Sequence, residues 1–295
     1  MKGQAAAAVF AATLAAALVS AMPASAMPAP SSAAHAVAPT GTVTTFGSMR
    51  EAPNVHLPAT HLPHPVVKNG TYQTENWAGY AVTGRGGKTI PQVNDDFTIP
   101  SINCANSTIG SSGYAYVSDW AGLDGLVDAT VEQEGIDAYC TSTSSPPAYL
   151  AWYEMYPNPP VAFTGTVNPG DAITVETERV GANYVLTFDD VTTASGFTTT
   201  QPCPSGSTCY DNSAEVITED PGGAVAGGID LADFGMDNQT GILAHTYNGL
   251  RGSFGTCTYW TQQTVEMFDP SNHQMAPLST MYGAQSFNVT WAVGS

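Results

Sequence analysis

Four short runs carry the residues that could do chemistry. They are Trp120-Ala-Gly-Leu-Asp124, Gln133-Glu-Gly-Ile-Asp137, Ala151-Trp-Tyr-Glu-Met-Tyr-Pro157 and Ala214-Glu-Val-Ile-Thr-Glu219. Side chains two apart on an extended chain share a face. Trp120, Gly122 and Asp124 therefore lie on one side of the first run. Gln133, Gly135 and Asp137 share a side of the second, Trp152, Glu154 and Tyr156 of the third, and Glu215, Ile217 and Glu219 of the fourth. Four strands that each show large polar or aromatic groups on one face describe a cleft floor rather than a sandwich core. The chemistry is that of carboxyls. In acid, a carboxyl near its ordinary pKa can both take and return a proton, whereas an imidazole stays protonated.

The elements that must position these groups read as strands. From Asn76 onward, short runs rich in Val, Thr, Tyr and Phe recur between Gly, Pro, Asn and Asp. Residues 93–99, 113–120, 131–138, 149–156, 172–177, 184–190, 214–218, 256–268 and 287–293 are the candidates. No amphipathic helical pattern appears among them. Many short strands of even spacing imply an all-β, antiparallel β-sandwich of two packed sheets or a barrel. One domain is expected over 71–295. Residues 1–26 read as a secretory signal peptide, with Lys2, an apolar run from Ala5 to Val19 and the Ala24-Ser25-Ala26 cleavage pattern. A secreted, extracellular protein follows.

Residues 27–70 are rich in Pro, Ala and Ser and lack periodicity. They hold His35, His56, His61 and His64, four of the six His in the chain. Two readings stand open. One is a disordered linker. The other is a propeptide that covers an acidic cleft and titrates away, with the mature chain beginning near residue 70.

Charge narrows the function. The chain has 7 Lys+Arg against 25 Asp+Glu. From residue 71 onward only Arg85, Lys88, Arg179 and Arg251 are basic. At neutral pH such a domain repels itself, whereas in acid it stays near neutral. The balance suits work in acid and argues against nucleic acid or an anionic membrane as partner. Five Cys in an exported chain suggest disulfides. Cys203 and Cys209 could close a local loop, and Cys104 could pair with Cys140, leaving Cys257, though spacing does not fix the connectivity. No zinc-like spacing occurs, so no metal and no cofactor is expected. Asp-Thr-Gly, Asp-Ser-Gly, Gly-x-Ser-x-Gly and His-Glu-x-x-His are all missing from the sequence.

Taken in order, the four runs resemble the successive motifs of the glutamic peptidases, or eqolisins. Asn76-Trp-Ala-Gly79 and Leu231-Ala-Asp-Phe-Gly235 extend the resemblance from about Asn76 to the C-terminus. The resemblance implies a concanavalin-like β-sandwich, a secreted acid endopeptidase acting on polypeptides as a monomer, and a Gln/Glu dyad at Gln133 and Glu215. It also implies a cleft lined by Trp120, Asp124, Asp137, Trp152 and Glu154. The family usually has Trp after the catalytic Glu, and this chain has Val216. On a strand that residue faces away from Glu215, so the change bears on subsite shape. Singly, each residue has a plainer reading. Gln133 and Glu215 suit any exposed strand, Trp120 and Trp152 suit a core, and Glu219 and Asp220 suit a solvated strand end before Pro221. Two other functions use the same residues. One is a β-sandwich glycosidase built on Glu154 and Glu215 with Trp152 stacking on sugar. The other is a non-catalytic carbohydrate- or protein-binding module.

Overall fold

The strands named from sequence recur in a computed structural model that describes residues 44–45, 49–51, 56, 66–68 and 71–294, except 164, 222–229 and 257. All fall within one unit, Val43–Ser295. The expected signal peptide at 1–26, most of the 27–70 segment and Cys257 lie outside the described residues. In chain order the strands are β1 (Thr44–Thr45), β2 (Met49–Glu51), β3 (Val66–Lys68), β4 (Thr71–Thr74), β5 (Trp77–Gly84), β6 (Gln92–Thr98), β7 (Ala115–Leu123), β8 (Val131–Cys140), β9 (Ala148–Tyr156), β10 (Val161–Phe163), β11 (Ala172–Val180), β12 (Asn183–Asp190), β13 (Ser195–Pro202), β14 (Ser213–Glu219), β15 (Asp230–Leu231), β16 (Met236–His245), β17 (Arg251–Ser253), β18 (Trp260–Met267) and β19 (Phe287–Thr290). No helix occurs among the described residues.

The strands form two sheets. Sheet A runs β1-β13-β12-β11-β6-β16-β17, with β19 also on β16. Sheet B runs β2-β10-β9-β8-β7-β14-β5-β18-β4-β3, with β15 also on β7. Most neighbours are antiparallel, as short connections favour. The sequence reading did not single out β5, β13 or β16. Polar Thr and Gln fill β13, and Gly241 interrupts β16 where its register with β6 shifts.

One core lies between the sheets. Sheet B supplies Val117, Ala121, Ile136, Tyr153 and Val216, and sheet A supplies Val93, Phe97, Val175, Leu186 and Phe188. β12 shows why it forms. Tyr184, Leu186 and Phe188 are buried, and the residues between them are not. The strands β7, β8 and β14 differ, being buried on both faces. Their second face carries a separate cluster that includes Trp77, Trp120, Leu150, Trp152 and Ile217. Two disulfides brace the sandwich, Cys104–Cys140 and Cys203–Cys209.

The core also holds acids. Asp95 on β6, Asp119 on β7 and Asp237 on β16 are fully buried. Thr218 donates to Asp237 at 2.9 Å, and Gln239 also donates to it. Glu134 reaches across to accept the backbone N–H groups of Thr187 at 2.9 Å and Glu176 at 3.2 Å. Burial pushes Asp119 well above the usual carboxylate range, and the charge of Asp237 adds to it. Burial does the same to Asp95, helped by Asp96. Asp237 is pushed up to about 6 by burial, against its hydrogen bonds from Thr218 and Gln239. The folded chain thus holds protons that the unfolded chain releases.

That difference fixes a pH dependence of stability. For a carboxyl raised in the fold, the stabilisation is complete below about pH 4, the ordinary carboxylate range, and is lost as pH rises through the folded value. Thermal unfolding followed by circular dichroism should give the highest Tm near pH 3–4 and a falling Tm toward pH 7. Each such group can remove up to ~1.4 kcal/mol per pH unit, and 1 kcal/mol moves Tm by about 2–4 °C in a domain of this size. Asp119→Asn, which cannot ionise, should flatten the decline. A Tm that is level or rises from pH 4 to 7 would overturn this account.

Candidate active site

The functional faces of the four runs coincide on the outer side of sheet B. Strand register brings this about. Glu215 on β14 pairs with Gly122 on β7, Gly122 with Gln133 on β8, and Gln133 with Glu154 on β9. The next row reads Ile217, Trp120, Gly135 and Trp152. The row beyond it reads Glu219, Ser118, Asp137 and Leu150. Directly opposed residues share a face of a sheet, so each row is a line of side chains.

Glycine opens the gaps in these rows. A Cβ at Gly122 would stand 2.8 Å from the Gln133 Cβ and 2.9 Å from the Glu132 carbonyl oxygen. Nothing larger fits between Glu215 and Gln133. Their backbones lie two strand spacings apart, about 10 Å, which leaves room for a peptide group between the two side chains. Gly135 does the same between Trp120 and Trp152, where a Cβ would meet the Asp119 carbonyl oxygen at 2.1 Å.

The electrostatics of the first row follow from burial. Gln133 donates from Nε2 to Glu154 Oε2 at 2.8 Å. An amide NH2 has two donor hydrogens, so this bond fixes the amide plane and leaves one donor. Burial pushes Glu154 well up, the Glu219 charge adds to this, and the Gln133 hydrogen bond works against it. Glu215 is fully buried, and its oxygens have no hydrogen-bond partner of normal geometry. Burial drives it well above the ordinary range, the neighbouring Ser213 hydroxyl tempers this, and the charges of Asp124 and Asp128 add to it. Burial therefore pushes the Glu154 and Glu215 carboxyls of the floor toward their protonated forms.

The remaining candidates divide. Trp120, Trp152 and Asp137 lie on the floor, fully buried. Trp77 meets Trp120 edge-on at 4.8 Å between ring centroids. Asp137 takes a hydrogen bond from Ser118. Burial raises the Asp137 carboxyl, and His56 draws it back down. Asp124 stands one residue past β7, with left-handed backbone at φ 66°. Its carboxylate accepts three backbone N–H groups, from Tyr210 at 2.7 Å, Asp211 at 2.9 Å and Asn212 at 2.8 Å. It is pushed up to about 7 by burial and by Asp128, against the Asp211 and Asn212 bonds. Asp124 anchors the loop that leads into β14, so its influence on Glu215 is through position and charge.

Two points differ from the plainer sequence expectation. Glu219 and Asp220 are not a solvated strand end, because both are fully buried. Glu219 accepts from the Trp120 indole at 2.7 Å and from Asn76 at 3.3 Å. The Glu215/Ile217/Glu219 alternation was the signal that placed it on the floor. The other is His56, which sits on this face from within the 27–70 segment. No group of His, Cys, Asp and Glu among the described residues is arranged to hold a metal ion.

Comparison with known proteins agrees with the fold. The Peptidase A4 family profile matches residues 75–291. Aspergillopepsin-2 of Aspergillus niger is 33% identical over 174 residues, covering 52% of this chain and 59% of that protein. Scytalidopepsin B of Scytalidium lignicola is 29% identical over 175 residues, covering 58% of this chain and 61% of that protein. The chain thus spans about three-fifths of the length of these relatives. The fold is similar to that of scytalido-glutamic peptidase with a transition state analog inhibitor, at a TM-score of 0.60 and 21% identity over 74% of this chain and 98% of that one. Aspergilloglutamic peptidase from Aspergillus niger gives a TM-score of 0.51 and 25% identity over 60% of this chain and 99% of that one. With the family profile spanning most of the sandwich and every one of the four floor runs, this chain belongs to the Peptidase A4 family, the eqolisins or glutamic peptidases.

Proposed function

We propose that the chain is a secreted acid endopeptidase in which Glu215 activates water and Gln133 stabilises the oxyanion. One observation carries this reading. Glu215 and Gln133 stand in one row of sheet B with only Gly122 between them. A scissile peptide lying over Gly122 would have the carboxyl on one side and the amide on the other.

The steps balance with these two residues. Ionised Glu215 takes a proton from water as the water oxygen bonds to the peptide carbon. The carbonyl oxygen becomes an oxyanion and accepts the free Nε2–H of Gln133, a donor that does not titrate. Glu215 then gives its proton to the amide nitrogen, the C–N bond breaks, and a carboxylic acid and an amine leave. Burial raises the Glu215 carboxyl above its ordinary range, so acid is the condition in which it can hold and return a proton. Glu154 acts on Gln133 as a positioning residue. The glycosidase alternative has less support, because the family profile that matches residues 75–291 is that of a peptidase.

Cleavage of a denatured protein across pH 2–8, with an aspartic-peptidase inhibitor present, tests the dyad. Wild type should cleave only in acid. Glu215→Gln should lower kcat by about 10³-fold or more, losing both base and acid. Gln133→Ala should lower it by about 10²–10³-fold. Equal cleavage by wild type and Glu215→Gln would move the active site elsewhere.

The positioning role has its own signature. Glu154→Ala should lower kcat by roughly ten- to a hundredfold with little change in KM. Glu154→Gln keeps an acceptor oxygen for the Gln133 amide and should retain most of the rate. If the two variants behave alike, Glu154 does not orient Gln133.

A further inference from the structure

Glu215 is fully buried, and among the described residues no donor meets its oxygens in normal hydrogen-bond geometry. Its carboxyl is therefore placed by the backbone that carries it. That backbone enters β14 from a crossover, residues 203–212, which leads from β13 in sheet A to the middle of sheet B. Between the sheets the crossover has no strand ladder to hold it, so its polar groups need other partners. Asp211 supplies most of them. It is 1% exposed, and every polar atom in it is bonded. Oδ1 accepts from the Tyr184 hydroxyl at 2.6 Å. Oδ2 accepts from Arg179 Nη1 at 2.7 Å and from the Tyr247 hydroxyl at 2.8 Å. The Asp211 N–H donates to Asp124 Oδ2 at 2.9 Å, and its carbonyl accepts from the Ile90 N–H at 2.7 Å. Five other segments thus meet at one residue: β11 at Arg179, β12 at Tyr184, the turn after β16 at Tyr247, the approach to β6 at Ile90 and the end of β7 at Asp124.

The crossover is held on both sides of this hub. Before it, the Cys203–Cys209 disulfide closes the chain on itself, and Arg179 Nη1 also donates to the Cys209 carbonyl at 3.4 Å. After it, the Asn212 N–H donates to Asp124 at 2.8 Å, and the Asp124 N–H donates to the Ser213 carbonyl at 3.1 Å. Ser213 opens β14 two residues before Glu215, and Asp124 stands two residues after Gly122. The clasp is therefore one same-face step from the row in which Glu215 pairs with Gly122. The backbone of Asp211 is left-handed, at φ 52°, a region that Asp and Asn enter at less cost than other residues with a side chain. The residue type thus suits both its backbone and its four bonded neighbours.

We infer that Asp211 is a positioning residue for the reaction: braced by Arg179 and Tyr247, it fixes the crossover and the Asp124 clasp, and through them the place of Glu215 beside Gly122. The inference rests on the peptidase reading of the site and extends its machinery to residues of sheet A. The physical argument is one of tolerance. A reacting group misplaced by about 1 Å can lose about a hundredfold in rate. Without the Asp211 carboxylate, three donors lose their shared acceptor, and the crossover is left with the disulfide and the Asp124 bonds. The row of Trp120, Gly135 and Trp152 stands on β7, β8 and β9, whose ladders include no residue of the crossover. Loss of the hub therefore acts on the placement of Glu215 and spares that row.

The test uses the full chain, in two arms. The first measures kcat and KM in acid with a fluorogenic peptide that wild type cleaves. Asp211→Asn keeps the size and the backbone preference but loses the charge. It should lower kcat by roughly ten- to a hundredfold and leave KM within about twofold. Arg179→Met should fall by a similar factor, and Arg179→Lys, which keeps a cation for Asp211, should recover at least a third of the wild-type rate. The double variant Asp211→Asn with Arg179→Met should be no slower than Asp211→Asn alone, because both changes break one contact. Where Asp211→Asn fails to fold, Tyr247→Phe carries the test. It removes one hydroxyl from an exposed ring and should lower kcat at least threefold at unchanged KM. An unchanged kcat, a loss seen in KM instead, or no rescue by Arg179→Lys would overturn the inference. The second arm needs no activity. In Glu215→Gln, hydrogen exchange is followed by mass spectrometry. Adding Asp211→Asn should speed exchange at least tenfold at the start of β14 and leave β9 unchanged. Unchanged β14 exchange overturns the positioning role by itself. Absence of cleavage by wild type, with faster β14 exchange in the variant, would count against the peptidase reading and leave the clasp standing.

Discussion

Everything in this molecule depends on strand register across four neighbours of sheet B. Glu215, Gly122, Gln133 and Glu154 form one line because β14, β7, β8 and β9 pair where they do. A slip of one residue would turn Gln133 to the inner face and bring Glu132 or Glu134 outward. Hydrophobic patterning alone guards poorly against this, because β8 is polar on both faces. The guard is steric. Gly122 and Gly135 sit where a neighbouring backbone or Cβ leaves no space for a side chain, and the Trp rings of the next row fit only beside Gly135. The same two glycines that fix the pairing also open the spaces in which chemistry can occur.

The second constraint is electrical. Sheet B carries acids inward at Asp119, Glu132 and Glu134, and outward at Asp137, Glu154, Glu215 and Glu219, all buried. Basic partners are scarce. Arg179 pairs with Asp211 at 2.7 Å. A buried carboxylate without a cation is costly, so burial pushes Asp119, Glu132, Glu134, Asp137, Glu154 and Glu215 toward their protonated forms. Acid is then part of the structure as well as the medium of the reaction. The proton that lets Asp119 and Asp237 share the core obeys the same physics as the proton that waits on Glu215.

Much of this was legible in the chain. Alternation put Trp120, Gln133, Trp152 and Glu215 on one face of each run, and ordinary turn chemistry marked most strands. The pairings Cys104–Cys140 and Cys203–Cys209 were among those the spacing allowed. What escaped depended on distant partners. Glu219 looked like a solvated end because Pro221 follows it, but Trp120 and Asn76, 99 and 143 residues away, bury it. The inward acids escaped because a polar residue on a strand normally faces water, and here both faces of β7 and β8 are covered. Asp124 was placed by parity with Trp120 and Gly122, yet the chain has already turned at that residue and its carboxylate meets backbone instead. His56 escaped because its segment has no periodicity, so no local pattern could show which floor it would reach.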